Sequence, residues 1–160
     1  MGKFRTEFKW AIVFTLCALI WKYFEKMLGW HGEHVGKYVI YSLAFGVVAI
    51  PVYVFALRDK KATDYNGKIT WKEGFFSGLI LSVIVATLSP VVNYIAFTVF
   101  SPDFFDNLIP IIVDGGKMNL EEAQNYFNLT STIRNGIFGD LSYGVVTGAI
   151  IAFFIKSKEN

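Results

Sequence analysis

Three blocks of uncharged or nearly uncharged apolar residues constrain this chain more than any other feature. Residues 38–57 contain no charge, residues 75–100 contain none, and residues 137–155 contain one, Asp140. Each reaches or approaches the ~20 residues that an α-helix needs to cross about 30 Å of hydrocarbon. A fourth block, residues 10–28, is interrupted by Lys22, Glu25 and Lys26 in its second half. It has no small-residue cleavage site of the kind a signal peptide carries, so we read it as a retained helix. The expectation is an all-α fold: one membrane domain over residues 1–160, a four-helix bundle with spans near 10–28, 38–57, 75–100 and 137–155. Mean hydropathy of +0.44 and 18% charged residues agree with a membrane protein and exclude an ordinary soluble domain. A single cysteine, Cys17, excludes an internal disulfide and reads as a packing residue.

Charge sets the expected orientation. With the N-terminus inside, Lys3, Arg5, Lys9, Arg58, Lys60, Lys61, Lys68, Lys72, Lys156 and Lys158 fall on the inner side. Lys22, Lys26, Lys37, Lys117 and Arg134 remain for the outer side, so the positive-inside rule places both termini in the cytoplasm. Residues 58–72 form a short inner loop with a turn at Tyr65-Asn66-Gly67-Lys68. Residues 101–136 form an outer loop too long to be a simple connector. In it, Ser101-Pro102-Asp103 reads as a helix start with serine as cap. Phe104, Phe105, Leu108, Ile109, Ile111 and Ile112 are apolar enough to lie in the headgroup layer. Asn119 and Glu122 match a capping box for a second short helix. The loop is expected to be an ordered, helical lid.

Small residues recur at every fourth position in the last two spans. Gly74, Gly78, Ser82, Ala86 and Pro90 do so in the third, and Gly136, Asp140, Gly144, Gly148 and Ala152 in the fourth. Such ridges let two backbones approach closely, which is how helices pack where lipid removes the hydrophobic drive. We expect the two spans to pair antiparallel, with Ala152 at Gly78, Gly148 at Ser82, Gly144 at Ala86 and Asp140 at Pro90. The alternative is that one ridge faces a second copy of the chain.

An acid within a span calls for partners. Ser89 and Asn93 on the facing helix could donate hydrogen bonds to Asp140, and Lys22 or Lys26 is the natural counter-ion, with Glu25 sharing it. Lys22, Glu25, Lys26, Ser89, Asn93 and Asp140 thus form a candidate polar cluster in the outer half. It reads first as a structural clamp, and second as a binding or relay site open to the outer side. His31, Glu33 and His34 match no standard metal motif and read as a solvated loop, so no metal is expected. No phosphate loop, nucleophile elbow or catalytic pair is present, and neither an enzyme activity nor a cofactor is expected. The small, dispersed charge argues against nucleic acid. The expected partners are the lipid bilayer and either another membrane protein or a second copy.

Four stretches carry a family resemblance: residues 25–31, Glu-Lys-Met-Leu-Gly-Trp-His; 57–61, Leu-Arg-Asp-Lys-Lys; 67–78, Gly-Lys-Ile-Thr-Trp-Lys-Glu-Gly-Phe-Phe-Ser-Gly; and 101–105, Ser-Pro-Asp-Phe-Phe. With them the chain resembles a bacterial four-span membrane family known only as a domain of unknown function. The resemblance implies an integral protein of a bacterial inner membrane and brings no activity or site residue with it. The functional expectation is a non-enzymatic binding or scaffold component. Its alternative is small-solute or lipid transport or binding through the polar cluster.

Overall fold

The computed structural model describes residues 4–157; Lys3 and Lys158, counted above for orientation, lie outside them. Among the described residues the chain is helical, without a strand. α1 is Arg5–Met27, and after a 3-10 turn at Val35–Lys37 follow α2, Tyr38–Leu43, and α3, Gly46–Thr63. α4 is Trp71–Ile95, continued by a π-helical turn at Ala96–Phe100. α5, Phe104–Asp114, and α6, Leu120–Tyr126, lead into α7, Leu129–Ile155. Three helical segments are long and apolar enough to cross a membrane: Val35–Thr63, Trp71–Phe100 and Leu129–Ile155. α1 falls outside that class because Arg5, Glu7 and Lys9 begin it and Lys22, Glu25 and Lys26 end it.

The helices run well past the apolar blocks. α4 begins at Trp71 rather than 75, because Thr70 caps it in a full capping box with Glu73. α7 begins at Leu129 rather than 137, because the Asn128 side chain accepts from the Ser131 N–H at 2.9 Å. The loop expected over 101–136 is therefore shorter by two helical turns. α3 continues through Thr63, so Lys60 and Lys61 belong to a helix and not to a loop. Asn128 also donates to the carbonyls of Gln124 and Asn125, tying α6 to α7. Asn128→Ala removes the cap and this tie together, and is expected to cost about 1–2 kcal/mol, read as a lowered unfolding midpoint in detergent.

The second long segment is not one smooth helix. It breaks at Ala44 and Phe45, between α2 and α3. Pro51 lies one turn inside α3, where it cannot donate to a carbonyl a turn earlier. The turn at Tyr65–Lys68 forms as expected: Asn66 and Gly67 both take positive φ, at 49° and 81°, and the Lys68 N–H donates to the Tyr65 carbonyl. The expected capping box at Asn119 and Glu122 is present as well. Ser101 caps nothing: α5 starts at Phe104 without a side-chain cap, and the Ser101 hydroxyl is used elsewhere. Phe104 and Leu108 of α5 are buried against Val35, Ala96 and Phe97. The lid thus closes one end of the bundle, while Ile111 stays exposed.

The two small-residue ridges pair with each other, and the α4–α7 contact is the most extensive in the fold. A Cβ added to Gly78 would lie 3.0 Å from the Gly148 Cα, and one added to Gly74 would lie 3.0 Å from the Ala152 Cβ. At Gly144 it would meet the Ser82 Cβ at 2.9 Å. The register is accordingly one helical turn away from the expected one: Ala152 faces Gly74, Gly148 faces Gly78 and Gly144 faces Ser82. The cause lies where the helices end. The Ser157 N–H donates to the Ile69 carbonyl at 2.8 Å, and the Ile69 N–H donates back to the Ser157 hydroxyl at 3.0 Å. This clasp aligns the true helix ends, and the extra turn of α4 before residue 75 shifts every pair above it.

A second polar knot ties α1 to the same end. The Glu7 carboxylate, 2% exposed, accepts from Ser77 on α4 at 2.8 Å and pairs with Lys60 on α3 at 3.0 Å. Beside it, Asp59 pairs with Lys9 and accepts from the Trp10 indole. Lys60 also reaches Asp64 at 2.6 Å, which holds the Asp64 carboxyl below its ordinary range.

Candidate functional site

The end of the bundle opposite the termini is built around Glu25, whose side chain is wholly buried. α1 ends there in a Schellman motif. The Trp30 N–H donates to the Glu25 carbonyl and the Gly29 N–H to the Lys26 carbonyl, with Gly29 at φ 74°. That reversal returns the chain over the helix end and lays His31 on the Glu25 side chain. One carboxylate oxygen accepts from the Trp21 indole at 2.8 Å and the Ser42 hydroxyl at 2.9 Å. The other accepts from the Lys22 ammonium at 2.9 Å and His31 Nε2 at 3.1 Å. Because a carboxylate only accepts, Nε2 carries the proton, and in the neutral ring Nδ1 accepts from Ser101 at 2.7 Å. Lys22 uses its remaining donors on Tyr38 at 2.8 Å and Ser42 at 3.1 Å. Every hydrogen-bonding position of this pair is filled, as a buried ion pair requires.

The expected polar cluster is thereby divided in two. Lys22 and Glu25 belong to the knot just described, and Lys26 is exposed and outside it. His31, read from sequence as part of a solvated loop, is 4% exposed and is a member of the knot. Its signal was the glycine after α1, since a C-terminal Gly29 turns the following residues back over the helix. Among the described residues no group of three or more His, Cys, Asp and Glu is placed to hold a metal ion.

Ser89, Asn93 and Asp140 line a cavity of about 450 Å³ with Lys22. It lies among α1, the α2–α3 break, α4 and α7, and its walls are mainly apolar, with Phe14, Val85 and Val92 among them. Small residues make the room: Gly46 at the break and Gly136 and Gly144 on α7 all line it. Polar groups from each wall reach it: Lys22, Ser42, Tyr53, Ser89, Asn93, Asp140 and Thr147. Asn93 Nδ2 donates to the Ser89 hydroxyl at 3.2 Å, and the Tyr53 and Ser82 hydroxyls share a hydrogen bond of 3.1 Å. Ser89, Lys22 and Tyr53 are polar groups close enough to act on the Asp140 carboxylate. Its expected ion pair does not form: among the described residues no cation lies within ion-pair distance of it, because the Lys22 donors are taken. Of the lining residues, Leu43, Ile50 and Tyr143 are well exposed, so the mouth opens sideways, between the α2–α3 segment and α7.

Large apolar side chains exposed all around and three helical segments of spanning length define a bundle of membrane-type helices. The chain belongs to a family described as protein of unknown function (DUF4199), whose sequence model matches residues 9–157. Neither a curated protein nor a solved structure matches it. The four stretches that carry the resemblance lie at structural junctions. They hold the Schellman turn and His31, the Asp59–Lys60 knot, the Thr70 cap with Gly74, Ser77 and Gly78, and the Ser101 partner of His31.

Proposed function

We propose that this chain is a four-span, non-enzymatic membrane protein that holds an amphipathic molecule from the bilayer in its lateral cavity. The observation that carries the reading is the cavity itself: 450 Å³, apolar walls, a few convergent polar groups and a sideways mouth. That volume is within the range of small-molecule sites, and a mouth rimmed by Leu43, Ile50 and Tyr143 would face acyl chains. What favours binding over a scaffold role is that the two ridges pack on each other, as expected, which leaves neither open to a partner.

Support for α1 as the fourth span comes from an exposed apolar stripe. Phe8, Ile12, Leu16, Ile20, Phe24 and Met27 lie along one face, a rise of about 29 Å at 1.5 Å per residue. Its buried acids, Glu7 and Glu25, turn inward to partners on other helices. With the lysine and arginine asymmetry, both termini are cytoplasmic and the Glu25 end is outer. The membrane is a bacterial inner membrane on the family resemblance.

Thr147→Trp places an indole in the cavity from α7. In detergent extracts analysed by native mass spectrometry, the parent chain should retain a bound lipid-sized adduct through delipidation. The variant should retain it about tenfold less. Equal retention by the two chains overturns the binding reading.

A further inference from the structure

We propose that Asp140 seats a cationic headgroup, so that the ligand of the cavity is an amphiphile bearing an ammonium group; this rests on the cavity reading above. Two formally charged side chains line the cavity, Lys22 and Asp140. They differ in what the protein has already given them. Lys22 has its three donors on Glu25, Tyr38 and Ser42, and its charge is matched by Glu25, which has no exposure at all. Asp140 has no ion-pair partner among the described residues. The balance of charge presented to a ligand is therefore one carboxylate.

The wall beside Asp140 presents acceptors. Asn93 directs its amide donor to the carbonyl and hydroxyl of Ser89, which leaves its own carbonyl oxygen as an acceptor. The Ser89 hydroxyl receives that donor and has its own proton for Asp140. A carboxylate and an amide oxygen within one apolar cavity suit an ammonium, whose several N–H donors each need an acceptor. An anionic headgroup would meet the Asp140 carboxylate with no unpaired cation in the lining to offset it. The rim of Leu43, Ile50 and Tyr143 lets an alkyl chain leave toward the bilayer.

The test uses the full chain in phosphatidylglycerol nanodiscs, which contain no ammonium lipid, with radiolabelled dodecylamine, dodecanol and dodecanoate as probes and empty nanodiscs as background. The expected result is saturable dodecylamine binding, at least about tenfold tighter than dodecanol, with dodecanoate weakest. Asp140→Asn should bring dodecylamine down to the dodecanol level, and Asp140→Glu should keep the preference. The preference in the parent chain is readable even if the asparagine variant does not fold. Dodecylamine and dodecanol bound equally, with both lost in Thr147→Trp, would overturn the headgroup assignment and leave the cavity reading standing. No binding above empty nanodiscs, or binding unaffected by Thr147→Trp, would overturn both.

Discussion

Gly148→Leu should lower stability by about 3 kcal/mol, whereas Gly139→Leu on the same helix should be neutral or slightly stabilising. Both changes replace a glycine of α7 with a good helix former, so both gain up to ~1 kcal/mol of helix propensity. They differ in what the new side chain meets. A Cβ at Gly148 would lie 3.1 Å from the Gly78 Cα, which is backbone and cannot rotate away, while nothing lies within 4 Å of one at Gly139. The remaining leucine carbons would have to push α4 and α7 apart along their whole contact. Because Gly74, Ser82 and Gly144 sit in the same interface, the separation would also open the contacts above and below. Unfolding in graded denaturing detergent reads the difference between the two variants directly. A Gly148→Leu chain as stable as Gly139→Leu would mean that the two backbones do not touch at this level. Gly78→Leu, from the opposite side, should repeat the loss, and the two losses should not add, because either one alone separates the same pair.

Three of the four expected spans were legible because hydropathy sums over twenty residues and tolerates local error. Span ends were not, because a helix stops where it is capped and not where its apolar block stops. Lys72 read as loop and Glu73 fell outside the span, yet Glu73 is half of the capping box that starts α4. Arg134, Asn135 and Gly136 read as loop, yet Asn128 had already started α7. That misplacement, one turn long at α4, carried through to every pair of the α4–α7 interface, while the pairing itself followed from the four-residue period of small residues. The candidate site was half legible. Period and depth put Lys22, Glu25, Ser89, Asn93 and Asp140 at one level, but which acid takes the lysine depends on a reversal of the chain. Gly29 returns His31 to Glu25, the helix break brings Ser42 to the same carboxylate, and together they hold Lys22 away from Asp140. The cavity is a property of four walls at once, and no one-dimensional period contains it.

Glu25→Gln tests that division of charge and should be the most damaging polar substitution in the chain, at about 3–5 kcal/mol. Glu25 accepts from four donors, Trp21, Lys22, His31 and Ser42. Glutamine keeps one acceptor oxygen and turns the other into a donor, which would face two donors in a site with no water exposure. Lys22 would lose its matching charge, and Asp140, across the cavity, is the carboxylate left for it to approach. The stability loss should therefore come with a change of binding: Glu25→Gln should lose the preference for dodecylamine over dodecanol, because its Lys22 occupies the seat. Lys22→Met on that background should recover part of the stability, since replacing both members of a buried pair leaves no isolated charge. It should also restore the amine preference, since Asp140 is again unpaired. A Glu25→Gln chain with parental stability and an unchanged amine preference would show that Glu25 does not hold Lys22. The geometry at Glu25 and the binding at Asp140 are thus linked through one ammonium group, and the double variant separates them.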